Sequence, residues 1–392
     1  MKKSVLKIMA ISLCLIFALG ALAACGNKKD DKFVIGLSGP LTGGAAVYGQ
    51  AVKNAAQMAV DEINAAGGIN GYQVELIALD DQHDPSKVEA NYANMMDNGM
   101  HVSLGCVTTN PCLEFAGLSK EDNVFFLTPS ASANKVVDNA NAYQMCFADG
   151  NQGSVAAAYV NGLKESEGLS KIGIFYKSDD NYSKGIYDQF KANLSKDITT
   201  VEASFMGEAT DFTTQVDQLK DCEFIFMPIY YTPASNFMSA AKGKVADNAV
   251  YYGCDGFDGI ESAEGFKINE IPQEISMLSH FNSKAESGKA GEFVTKYTEK
   301  FGAATLNQFG ASAYDCVYAL KGAIEAAVEA GEDITPAIEA SDLCEILKAQ
   351  FNGGYEYNGG VTGTEGTPIS WQSSGYVNKG AIKFTIKEAN AN

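Results

Sequence analysis

Between residues 33 and 79 the spacing of apolar positions changes twice. Residues 33–37 form a short unbroken apolar run of strand length, followed by the turn-rich loop SGPLTGG. From Gly49 the period becomes helical: Val52, Ala55, Ala56, Ala59 and Ile63 fall on one face, and the pattern stops at Gly67-Gly68. Residues 72–79 read as a second strand, closed by Asp80-Asp81 and Asp84-Pro85. A strand, a helix and a strand this close predict a right-handed parallel crossover. The alternation continues with a helical face at Val88, Tyr92, Met95 and Met96 and with strands at 101–105 and 124–127. A second series predicts strands at 171–176, 199–205, 222–229, 249–253 and 275–279, with helices at 155–163, 182–194, 212–219 and 234–242. Residues 288–349 read as helical, 352–366 as turns, and 381–386 as a last strand.

In parallel sheets ligands sit beyond the carboxyl ends of strands, so the loops there are where function is expected. The first series ends its strands in the loop up to Tyr48, in Val107-Thr108-Thr109 and in Ser130-Ala131-Ser132. Ser/Thr residues at such places also serve as ordinary loop and helix-cap residues. The second series ends in Ser178 to Tyr182, Tyr230 to Pro233 and Gly253 to Asp258, so aromatics and one acid face hydroxyls. No G-x-G-x-x-G, Walker, G-x-S-x-G or H-E-x-x-H pattern occurs, which leaves neither a nucleotide site nor an enzyme with support. His83, His101, Cys106 and Cys112 match no zinc spacing, so no metal and no cofactor are expected.

Charge narrows the partners. The net charge is -19, and removing the three lysines of the first 24 residues, which contain no acid, makes it -22. Nucleic acid and anionic membrane surfaces are repelled. All 29 basic residues are lysine. A ligand carboxylate must therefore be held by backbone N–H groups, hydroxyls or helix N-termini rather than by a guanidinium fork. Lys2, Lys3 and Lys7, an apolar stretch and then Leu22-Ala23-Ala24-Cys25 read as a signal peptide over 1–24 with lipidation at Cys25 and a polar tether over 25–32. The expected location is the extracytoplasmic face of the cell membrane, held by lipid alone. Seven cysteines remain after Cys14 and Cys25, without a C-x-x-C pair, and read as buried free thiols. Roughly 360 remaining residues are too many for one core and suit two lobes.

SGPLTG, Tyr48-Gly49, DEINAAGGINGYQVEL, DDQHDP, AYQMCFADGNQG and Tyr314-Asp315 together resemble the type I periplasmic-binding proteins of branched-chain amino acid importers. The resemblance implies an α/β fold of two doubly wound parallel-sheet lobes joined by a three-crossing hinge. Lobe 1 would hold 33–148 and 281–378, and lobe 2 would hold 149–280 and 379–392. It implies that lobe 1 grips the backbone of an amino acid ligand through Thr108 or Thr109 and through Ala131 and Ser132. In lobe 2, Asp255 matches the acid set against the ligand's ammonium, with Asp180 and Asp258 as alternatives. Tyr182 and Tyr230 match tyrosines of the same lobe, and Tyr48 is the aromatic of the opening loop. His83 stands where some relatives carry a cysteine of a disulfide, so no such pairing is expected for Cys106. The implied partners are an ABC permease and its ATPase subunits, with the protein a monomer; leucine, isoleucine or valine is the default ligand. A sensor of the same fold that presents an amino acid or amide to a receptor is the alternative.

Overall fold

The structure, a computed structural model, describes residues 32–390. The signal segment, Cys25 and the tether up to residue 31 lie outside the described residues. The first part of the chain runs β1 (Lys32–Gly39), α1 (Ala46–Ala65), β2 (Gln73–Asp80), α2 (Val88–Asp97), β3 (Val102–Cys106), α3 (Thr109–Glu121), β4 (Phe126–Thr128) and β5 (Ala142–Gln144). These strands form one parallel sheet in the order β2-β1-β3-β4-β5. β1 and β3 are central and covered by helices, so nearly every residue in them is buried and they read as apolar runs rather than alternating ones. α1 buries the predicted face of Val52, Ala55, Ala56, Ala59 and Ile63. Its first turn lies against the loop after β1, where a Cβ on Gly49 would stand 2.1 Å from the Pro40 carbonyl oxygen. Only glycine permits that approach.

The second part runs α4 (Asp149–Glu167), β6 (Lys171–Lys177), α5 (Asn181–Asn193), β7 (Thr199–Phe205), α6 (Thr213–Leu219), β8 (Phe224–Met227), α7 (Tyr231–Ala241), β9 (Val250–Gly253) and β10 (Glu274–Ser279). α8 (Gly288–Phe301), α9 (Gln308–Glu329) and α10 (Ala340–Asn352) follow, then the short strands β11 (Glu356–Tyr357) and β12 (Ile369–Ser370), and finally β13 (Ile382–Lys387). The second sheet has the order β13-β10-β9-β8-β6-β7. Its strands are parallel except β13, which lies antiparallel to β10. That departs from the all-parallel expectation for a topological reason. β10 runs toward the hinge, and the chain re-enters this lobe from the hinge, so the returning strand must run the other way.

Two other readings are refined. The stretch 288–349 is three helices, broken at Gly302 and after Glu329, and the glycine-rich run holds β11, which pairs with β12. The chain crosses between the sheets after β5, after β10 and before β13. A buried polar knot ties the crossings to α9. The Asp315 carboxylate accepts from the Val361 and Thr362 amides at 2.9 and 3.0 Å, and Lys379 donates to the Thr362 hydroxyl. Trp371 Nε1 donates to the Gln144 carbonyl at 2.8 Å, fastening the end of β5.

Candidate functional site

Ser38 pairs in register with Leu79 on one side and Cys106 on the other, so the loops after β1, β2 and β3 start at one level. Met227 pairs with Gly253 in the other sheet and sets its rim in the same way. The two rims face each other and touch. The Tyr48 hydroxyl donates to the Gly256 carbonyl at 2.5 Å and accepts from the Tyr231 amide at 3.1 Å. Thr232 Oγ1 donates to the Gly44 carbonyl at 2.7 Å. Asn110 uses both ends of its amide, donating to Asp180 Oδ2 at 3.0 Å and accepting from Asn181 Nδ2 at 2.8 Å. Asp258 accepts the Gln308 amide at 2.8 Å, so an acid of lobe 2 takes the first N–H of a lobe 1 helix whose N-cap is Asn307. The clamshell is closed.

The closed lobes leave a narrow chamber between them. Of the eight residues singled out in the sequence, Tyr48, Thr108, Thr109, Ser132, Tyr182, Tyr230 and Asp255 line it together. Ala131 does not. Its carbonyl accepts from Gln144 Nε2 at 2.8 Å and its amide is held by Thr128 Oγ1 at 3.1 Å, so its backbone is engaged within lobe 1. Ser130 lines the chamber instead, with Val107, Gly256 and Phe309. Thr108 and Thr109 differ. Thr108 Oγ1 is bonded to His83 Nδ1 at 2.8 Å, whereas Thr109 Oγ1 is buried without a partner. Tyr182 and Tyr230 stack at 4.5 Å with an 11° interplanar angle, and Phe309 stands edge-on to Tyr48 at 5.1 Å. The walls are thus ring faces with polar atoms between them. Among the described residues no basic side chain lines the chamber.

Asp255 sits just beyond β9, only 1 % exposed. Its Oδ1 accepts the Tyr182 hydroxyl at 2.6 Å, its backbone N–H donates to Gln152 Oε1 at 3.0 Å, and its Oδ2 has no partner of normal geometry, although the Gln152 side chain lies close by. The Tyr182 hydroxyl also receives the Gly256 amide at 2.8 Å, and a Cβ on Gly256 would fall 2.5 Å from that oxygen. Burial pushes the Asp255 carboxyl up to about 6, although the Tyr182 and Gln152 side chains and the Gly256 amide favour its charged form. The two alternative acids have other tasks. Asp180 caps α5 by accepting the Ser183 amide at 2.9 Å, and Asp258 accepts the first amide of α9, with burial lifting its carboxyl to about 7. His101, which with His83 and two cysteines matched no zinc spacing, is engaged on both ring nitrogens: Nδ1 accepts from the Val34 amide at 3.0 Å and Nε2 faces the Pro336 carbonyl at 2.9 Å. Among the described residues no group of three metal-binding side chains occurs, and the seven cysteines are free and buried. Sequence reasoning missed Phe309, Asp149 and Gln152. Phe309 opens a helix far along the chain, and the other two lie just past the first crossing, where nothing in the pattern marks a rim.

The profile of the periplasmic binding proteins matches residues 32–349. The chain is 30% identical over 352 residues to the Leu/Ile/Val-binding protein BraC3 of Rhizobium johnstonii, covering 86% of this chain and 91% of that one. Its fold is similar to that of the branched-chain amino acid transporter substrate-binding protein LivJ of Streptococcus pneumoniae, solved with isoleucine. The TM-score is 0.72 at 23% identity, over 90% of this chain and 99% of that one. A solute-binding protein from R. palustris solved with 4-hydroxybenzoate is similar at TM-score 0.75 and 17% identity, over 91% of this chain and 94% of that one. Two α/β lobes, three crossings and a matching profile over most of the length agree: the chain belongs to the type I periplasmic binding proteins, a family that binds solutes and is not enzymatic.

Proposed function

We propose that this protein captures an α-amino acid of the branched-chain class between its lobes and delivers it to an ABC importer while tethered through Cys25. The observation that carries the reading is the set of buried, unpartnered polar atoms around the chamber. Asp255 Oδ2 is an acceptor, and the Thr109 and Tyr230 hydroxyls are donors. A zwitterionic head supplies N–H donors for the first and carboxylate oxygens for the others, and each orphan satisfied recovers about 1–3 kcal/mol. The remaining walls, Val107, Phe309 and the tyrosine rings, suit a compact apolar side chain. The relative from Rhizobium johnstonii is named for leucine, isoleucine and valine, which fits that division.

An aromatic acid such as 4-hydroxybenzoate is the second reading, favoured by a neighbouring structure and by the tyrosine walls. It brings no cation to Asp255, and its carboxylate would be repelled there. Protein stripped of ligand by refolding, screened by thermal shift, should be stabilised by leucine, isoleucine or valine and not by 4-hydroxybenzoate. The opposite pattern overturns the proposal. Delivery to an importer rather than presentation to a receptor is tested separately, by whether a neighbouring permease and ATPase take up the bound amino acid in proteoliposomes only when this protein is present.

A further inference from the structure

The opening residue of α4 is a second acid at the same site. Asp149 is 1 % exposed, and neither of its carboxyl oxygens has a hydrogen-bond partner of normal geometry. It lies at the first crossing, with its N–H donating to the Ser132 carbonyl at 2.8 Å, directly behind a chamber residue. α5 closes over it so tightly that a Cβ on Gly185 would stand 3.2 Å from Asp149 Oδ2. One turn on, Gln152 holds the Asp255 amide through Oε1 at 3.0 Å while its Nε2 has no partner. Gln152 thus stands between the helix that begins with Asp149 and the loop that carries Asp255, and the two buried acids act on each other.

No positive charge balances them. The ionisable groups that act most strongly on Asp149, or that it acts on, are acids or groups neutral at pH 7. Asp180 comes from the start of α5, Cys254 and Asp255 from the loop after β9, Cys146 from the crossing, and Tyr230 from the start of α7. The thiols and the phenol among them are pushed up by burial. The cations nearby serve other groups: Lys379 of the hinge acts on Cys146 but is engaged with Asp315 and Thr362, and Lys177 and His83 act on Asp180 rather than on Asp149. Two unpaired carboxylates in such surroundings cannot both ionise without a cost of several kcal/mol.

We infer that the ligand-free protein keeps one proton on the Asp149–Asp255 pair and that the ligand's ammonium takes its place, so that capture of the amino acid releases a proton. This rests on the proposed amino acid reading and adds a group to it. The ammonium enters beside Asp255 Oδ2, brings the missing positive charge, and the displaced proton goes to solvent. Burial and the neighbouring Asp255 both hold the Asp149 carboxyl well above the usual carboxylate range, with Ser132 offsetting part of this. The sign follows. Because the bound state holds fewer protons, the dissociation constant should rise as pH falls, toward about tenfold per pH unit.

Isothermal titration at pH 7 tests this with leucine, isoleucine, valine, alanine and threonine, taking the tightest binder into phosphate, HEPES and Tris buffers. The apparent enthalpy should vary with the ionisation heat of the buffer with a slope of about one proton released per site. In Asp149→Asn that slope should fall to near zero, a change that a merely structural residue would not produce. An enthalpy independent of buffer in the wild-type protein overturns the inference while leaving the amino acid reading in place. Heat with none of the five overturns both. If Asp149→Asn does not fold, the wild-type slope and the pH dependence of its dissociation constant decide alone.

Discussion

Asp255→Asn should weaken binding and, with no ligand present, stabilise the fold. The two effects have one origin. The carboxylate is fully buried, one oxygen is bonded to Tyr182 and the other has no protein partner of normal geometry. Replacing it with a neutral amide leaves the ligand's ammonium without its counter-charge. Breaking a buried, hydrogen-bonded charge pair costs about 2–5 kcal/mol, or roughly 30- to 4,000-fold in affinity. Without ligand the sign reverses. The folded chain holds the Asp255 proton up to about pH 6, against 3.8 as the ordinary value, so folding takes up a proton in between. The stability this confers is fully present below pH 3.8 and is lost as pH rises to about 6. Above that the buried charge costs about 3 kcal/mol, which the amide removes. Isothermal titration with the preferred amino acid and chemical denaturation of stripped protein at pH 4 and pH 7.5 measure both. Near-wild-type affinity would remove Asp255 from the site. A variant less stable than wild type at pH 7.5 would refute the electrostatic reasoning.

Tyr48→Phe should leave the ring packing intact but orphan the Gly256 carbonyl and the Tyr231 amide across the cleft. Affinity should fall by about 1–3 kcal/mol, seen in stopped flow as faster release, and an unchanged release rate would contradict the role of that hydroxyl in closure. Asp258→Asn retains an oxygen to accept the Gln308 amide, so its affinity loss should stay under about tenfold by titration. A loss equal to that of Asp255→Asn would mean that Asp258 meets the ligand. Cys25→Ser should give unlipidated, mislocalised precursor, and mature lipidated protein from that variant would end the tether assignment.

The architecture was legible because each strand and helix carries its own period. β1 and β3 are apolar throughout because both faces are covered, and α1 shows its buried stripe at helical spacing. The rim was legible because ligand loops follow strand ends, which brought Tyr48, Thr109, Tyr182 and Tyr230 into view without any structure. What was hidden depends on relations between distant segments. That Asp258 holds the first amide of α9 requires knowing that residue 308 starts a helix on the opposite lobe. That Ala131 lies outside the chamber while Ser130 lines it depends on one turn of backbone held by Thr128, and alternation within a loop does not encode it. The antiparallel β13 likewise follows from the direction of re-entry at the third crossing, not from its own residues.

The central claim is that an amino acid lies between the lobes with its ammonium on Asp255 and its carboxylate on the hydroxyl rim of lobe 1. A crystal structure of the stripped protein reloaded with its tightest-binding amino acid tests this most directly. The account predicts the ligand nitrogen at roughly 2.7–3.0 Å from Asp255 Oδ2 and a carboxylate oxygen at hydrogen-bond distance from Thr109 Oγ1. A ligand bound in the reverse orientation, or outside the chamber between Tyr48, Tyr230 and Phe309, would contradict it.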